Sequence, residues 1–203
     1  MAVAGVAVEA TGPRARLARR LIRLARWRLV GTVPRRAVII GAPHTSNWDF
    51  VFTLLVVWSA GLSPHVLVKH EMFWWPMGPL LRSLGAIETY RGAAGGGLVE
   101  QLTAQAAAAA DGFILVLAPD GTRTPTDHWK SGFYRLSVGS GLPLALAFVD
   151  GPTRTTGIGP TLELTGDVRA DMDLIRAFYA DKHGFRPGRG STIRLREEDT
   201  PRS

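Results

Sequence analysis

The chain has 203 residues, 46% hydrophobic and 20% charged, the make-up of one folded domain with a sizeable core rather than of a disordered chain. It has no cysteine, which excludes disulfides, thiolate metal sites and a cysteine nucleophile, and fits a reducing compartment. The net charge of +7 is uneven: residues 1–36 carry nine arginines against Glu9, and the remainder carries one more acid than base.

No apolar run approaches the ~20 residues that cross a bilayer. Met1 to Ala10 is too short and too weakly apolar for a signal peptide, and the arginines follow it rather than precede it. Arg14 to Val30 reads as one amphipathic helix. Leu17, Ala18, Leu21, Ile22, Leu24, Ala25 and Leu29 form its apolar stripe, and Arg16, Arg19, Arg20, Arg23 and Arg26 its basic side, with Trp27 near the boundary. That combination suits an anionic membrane surface. Docking of the stripe on the protein's own core is the alternative. Nucleic acid is disfavoured, because residues 37–203 have no basic excess. Pro34 ends the segment.

Ala37-Val38-Ile39-Ile40-Gly41 predicts a buried strand, and 48–60 a helix closed by Gly61. Between them lies Pro43-His44-Thr45-Ser46-Asn47-Trp48-Asp49. Histidine titrates near neutrality and is the default general base. A carboxylate fixes its tautomer and stabilises its protonated form. With Asn47 as helix cap, Asp49 sits in the first turn and His44 just before it. The same stretch also reads as a packed histidine and a first-turn acid.

His65 to Lys69 predicts a strand. His65 and His70 are five apart, so they face opposite ways and share no metal. Met72 to Leu84 holds Phe73, Trp74, Trp75, Met77, Leu80, Leu81 and Leu84, broken by Pro76, Gly78 and Pro79. It reads either as core or as an exposed apolar wall that meets a lipid chain. Ala86 to Arg91 predicts a short strand, Gly92 to Gly97 a glycine turn, and 98–111 a helix. The dinucleotide spacing of glycines is missing there.

Phe113 to Ala118 predicts a central strand running into Pro119-Asp120-Gly121-Thr122-Arg123-Thr124. Polar loops at strand ends of α/β sheets are where ligands bind, and an arginine there suits phosphate. A plain tight turn is the competing reading. A two-turn helix follows Trp129-Lys130-Ser131-Gly132-Phe133. A strand over 143–149, weaker strand material over 155–166 and a helix over 172–182 come next. A basic, poorly ordered tail begins at Gly184.

In order, these blocks resemble the glycerolipid acyltransferase family, whose members include lysophosphatidic acid acyltransferase. The first block is a histidine, four residues, then aspartate, here His44 to Asp49. The second runs from Lys69 through Pro76 and Gly85 to Arg91. The third, usually Glu-Gly-Thr-Arg-Ser, is here Asp120-Gly121-Thr122-Arg123-Thr124. The fourth is the apolar strand led by Pro143. Asp120 for glutamate and Thr124 for serine are departures, and the chain resembles compact bacterial members.

The resemblance implies an α/β domain over 37–185, with a mostly parallel or mixed sheet flanked by helices. The basic segment 1–36 would precede it and a flexible tail, 186–203, would follow. It implies an O-acyltransferase that needs no cofactor. Fatty acyl groups would pass from acyl-CoA or acyl carrier protein to a hydroxyl of a lysophospholipid-like acceptor, at the inner face of the cell membrane. His44 would act as base with Asp49. Lys69, Arg91, Asp120, Gly121, Thr122 and Arg123 would bind the acceptor. Thr45, Ser46 and Asn47 would serve the oxyanion or acyl site, and Phe73, Trp74 and Trp75 the acyl wall. Two other readings are an acyltransferase with a non-glycerolipid hydroxyl or amine acceptor, and a non-catalytic lipid-binding protein. A serine hydrolase through Ser46 or Ser140 lacks the Gly-x-Ser-x-Gly elbow.

Overall fold

The computed structural model describes residues 12–89, 96–109, 112–120, 125–186, 188 and 190–199. Among these residues seven strands form one sheet: β1 (Arg28–Val30), β2 (Arg36–Ala42), β3 (Pro64–Lys69), β4 (Ala86–Thr89), β5 (Phe113–Leu117), β6 (Leu144–Asp150) and β7 (Thr155–Leu162). Their order is β1-β7-β6-β2-β5-β3-β4. Only β6 and β7 pair antiparallel; every other pairing is parallel. The α/β class with a mostly parallel sheet is therefore as expected.

The central strands read as unbroken apolar runs because both faces are covered. On β2, Val38 and Ile40 face one layer with Leu144 and Leu146 of β6. Ala37 and Ile39 face the other layer with Ala145 and Ala147. The first layer is closed by α4 (Gly96–Ala108), α5 (Gly132–Ser140) and α6 (Val168–Tyr179) through Leu102, Phe133, Met172 and Ile175. The second is closed by α2 (Asn47–Ser59) through Leu54, Val56 and Val57. Ile39 and Ile40 are fully buried, worth about 1.5–3 kcal/mol each in area removed from water.

Helix α1 (Pro13–Leu24) packs behind α2, with Ala18 and Ile22 against Leu55 and Trp58. The Arg14 guanidinium stacks 4.5 Å over the Trp58 ring. The expected helix over 14–30 is cut short. The Arg26 N–H donates to the Arg23 carbonyl at 2.9 Å, and the Trp27 N–H to the Ile22 carbonyl at 3.0 Å. Arg26 has φ of 60°, so this is a Schellman ending with arginine where glycine is usual. The chain then turns out of the helix to make β1 at the sheet edge. The expected stripe is also redistributed. Alanines take the contact, because small side chains let α1 approach α2, while Leu17, Leu21 and Leu24 stay exposed. Among the described residues no helix is long and apolar enough to cross a membrane.

The tail differs from expectation as well. Leu195 is fully buried, the Trp129 N–H donates to the Arg194 carbonyl at 2.7 Å, and Arg176 pairs with buried Glu198 at 2.8 Å. A buried leucine, a backbone hydrogen bond and one ion pair hold residues 190–199 on the domain.

Candidate functional site

β2 and β5 are neighbours in the sheet, with Ile40 opposite Leu117 at their C-terminal ends. From β2 the chain leaves toward the α2 face; from β5 it proceeds to α5 on the other face. Adjacent parallel strands whose continuations part in this way leave a crevice at their carboxyl ends, where α/β proteins bind ligands. The loop 43–46 and Asp120 both lie there.

The loop is built around the start of α2. Ser46, not Asn47, is the cap: its φ and ψ are extended, and its Oγ accepts the Trp48 N–H at 3.1 Å. Asp49 reaches back to complete a capping box. Its Oδ2 accepts the Ser46 N–H at 2.5 Å, the Thr45 N–H at 2.6 Å and the Thr45 hydroxyl at 3.1 Å. Its Oδ1 accepts the Phe185 N–H at 3.4 Å. Asp49 is 3% exposed, so these donors replace its water. Thr45 and Ser46, expected at the oxyanion or acyl site, have their amides engaged by Asp49. The Asn47 side chain lies outside the described residues.

His44 is half-buried, and its backbone N–H donates to Asp120 Oδ2 at 3.2 Å. Asp120, expected at the acceptor, sits beneath this loop with 2% exposure. Burial pushes its carboxyl above the ordinary carboxylate range. Ser191, Trp129 and the His44 N–H offset part of that. Even so, Asp120 Oδ1 and Trp129 Nε1 are both buried without a well-formed hydrogen bond among the described residues. With Pro43, Tyr179, His183 and Ser191 they line a pocket of about 180 Å³.

Tyr179 is a site element the sequence did not announce. Its hydroxyl lies 3.2 Å from the Ile40 carbonyl and 2.8 Å from that of Ala147, tying the ends of β2 and β6. Burial, followed by the Asp120 charge, raises its hydroxyl well above the usual range. A tyrosine at the end of an amphipathic helix gave no signal beyond core.

Arg91, Gly121, Thr122 and Arg123 lie outside the described residues, as does the side chain of Lys69 at the end of β3. Trp74 and Trp75 are 58% and 83% exposed. Phe73 is half-buried, with the Arg82 guanidinium 5.1 Å from its ring.

What the arrangement offers is a histidine carried on a short, multiply bonded loop at the crevice, with a buried carboxylate one turn away. Comparison with known proteins agrees in kind. A family model described as acyltransferase matches residues 26–149. No curated protein matches the chain. Among solved structures, the crystal structure of the 1-acyl-sn-glycerophosphate (LPA) acyltransferase PlsC from Thermotoga maritima is similar in fold. It has a TM-score of 0.53 and 14% identity, covering 82% of this chain and 74% of that one.

Proposed function

The chain belongs to the acyltransferase family, and we propose that it moves a fatty acyl group from a thioester to a hydroxyl of a lysophospholipid-like acceptor at a membrane surface. The carrying observation is the joint fastening of the His44 loop, through the Asp49 capping box and the Asp120 bond, at the carboxyl ends of β2 and β5. His44 would take the acceptor's hydroxyl proton as the oxygen attacks the thioester carbonyl. The carbon–sulfur bond then breaks, and the protonated imidazole returns its proton to the departing thiol. General base catalysis of this kind is worth roughly 10²–10⁴-fold. Asp49 orients the loop and stabilises the imidazolium. No acyl-enzyme is required.

The donor is acyl-CoA or acyl carrier protein. Arg91 and Arg123, with Lys69, would hold the acceptor's phosphate, as guanidinium and ammonium groups do. The membrane part of the proposal is supported by α1, whose Leu17, Leu21 and Leu24 are 56%, 43% and 69% exposed beside solvent-facing arginines. Trp48, Trp74 and Trp75 add exposed aromatic surface.

The test is thiol release from acyl-CoA and acyl carrier protein donors over a panel of lysophospholipid and other acceptors, for wild type and His44→Ala. Release that requires both an acceptor and His44 is the expected result. A folded His44→Ala protein with wild-type turnover would end the proposal.

A further inference from the structure

Residues 183–186 follow the histidine loop by some 140 positions and lie beyond the stretch matched by the family model. They nevertheless touch the loop at Asp49 and at Thr45. The Phe185 N–H donates to Asp49 Oδ1 at 3.4 Å, and the Arg186 N–H to Thr45 Oγ1 at 3.1 Å. We propose that this segment is a strap that positions the histidine loop for acyl transfer, with Gly184 as the residue that sets its distance.

Three observations carry the inference. The strap is itself fixed to the body of the domain. The Gly151 N–H donates to the Gly184 carbonyl at 2.9 Å, and buried Asp150 accepts the His183 N–H at 3.1 Å and the Thr153 hydroxyl. The Phe185 ring closes an aromatic cluster, 4.9 Å from Trp27 and 5.4 Å from Phe52, with those two rings 4.5 Å apart. Phe52 is on α2, three residues past Asp49, so the cluster locks the helix that carries the capping box.

Gly184 is the close approach. Its φ is +56°, and a Cβ there would stand 2.7 Å from Thr45 Oγ1 and 2.9 Å from Thr45 Cγ2. Only glycine fits without moving Thr45. The remaining bonds to Asp49 Oδ2 come from residues 45 and 46, within its own loop. They shape the loop but do not fix it to the rest of the protein. The strap does, alongside the bond from the His44 N–H to Asp120.

The proposal rests on the reading of His44 and Asp49 given above, so its test has an arm that needs no substrate. Full-length wild type, Gly184→Ala, Phe185→Ala, Phe185→Leu and His44→Ala are compared by hydrogen exchange of the peptide spanning Pro43 to Phe50. The same proteins are assayed for thiol release from a long-chain acyl-CoA in the presence of a lysophospholipid acceptor, with kcat and KM measured separately and folding checked by thermal melting. Gly184→Ala is expected to exchange faster in that peptide. Its kcat is expected to fall about 10- to 100-fold, with the donor KM within about twofold of wild type. Phe185→Ala shifts both readouts the same way by less, and Phe185→Leu restores them. Unchanged exchange in folded Gly184→Ala and Phe185→Ala overturns the strap, and so does faster exchange with an unchanged kcat. Wild-type turnover by His44→Ala removes the catalytic reading alone, and the exchange arm still decides whether the strap holds the loop.

Discussion

The backbone N–H of His44 donates to Oδ2 of Asp120 at 3.2 Å across 76 positions of sequence. That bond joins the two polar loops that leave neighbouring strands, so Asp120 acts on the site through the histidine's backbone. Its carboxyl is raised above 3.8, first by burial. An acid raised in the folded state contributes stability that is complete below its unfolded value and lost as pH climbs through the folded one. Asp120→Asn keeps an oxygen for the His44 N–H and removes the ionisation. The melting curves of wild type and variant are expected to converge near and below pH 3.8 and to separate in the variant's favour above it. Thermal melting across pH, read beside thiol release, checks this.

Asp49 satisfies two amides and a hydroxyl at the start of α2. Asp49→Ala is expected to lose about 1–3 kcal/mol of stability, a lost cap plus orphaned buried donors. Acyl transfer should fall about 10²–10⁴-fold. Asp49→Asn, which keeps one acceptor oxygen, should recover most of the stability and little of the activity. Urea unfolding and turnover of both variants separate the two roles.

Arg26 occupies a left-handed position at φ 60° where the Schellman ending favours glycine. Arg26→Gly is expected to raise stability by about 0.5–1 kcal/mol, since relief of backbone strain outweighs the extra freedom of the unfolded chain. A denaturant midpoint shift at constant slope would verify it.

Leu17 and Leu21 are exposed on α1. Replacing both with glutamate should leave stability within about 0.5 kcal/mol. Binding to vesicles containing anionic lipid should drop about tenfold or more, from lost apolar burial and added like charge. Cosedimentation measures the second and thermal melting the first.

The sheet was legible because its strands are buried on both faces. Runs such as Val38 to Ile40 and Phe113 to Leu117 announce themselves with no need for alternation. The histidine loop was legible because a polar turn between a buried strand and an apolar helix stands out. What escaped depended on contacts distant in sequence. Nothing near Arg26 marks a helix end, since the usual glycine or proline is missing. Leu17 and Leu21 outrank Ala15 and Ala18 in hydropathy, yet the alanines are buried, because the spacing between α1 and α2 decides the contact. Residues 184–199 read as a loose basic tail because Leu195 and Phe185 are isolated apolar residues with no periodic partners. Their partners are Trp27, Phe52 and the core of the other layer.

The strap also has a meaning in time. Phe185 is 136 positions after Asp49, and Arg186 is 141 after Thr45. At translation rates of roughly 5–20 residues per second, the loop leaves the ribosome on the order of ten seconds before the amides that fasten it. During that interval α1, with its exposed leucines and arginines, is already free to settle on a bilayer. On the membrane role proposed above, a nascent chain would meet the bilayer before the amides that fasten its histidine loop have been made.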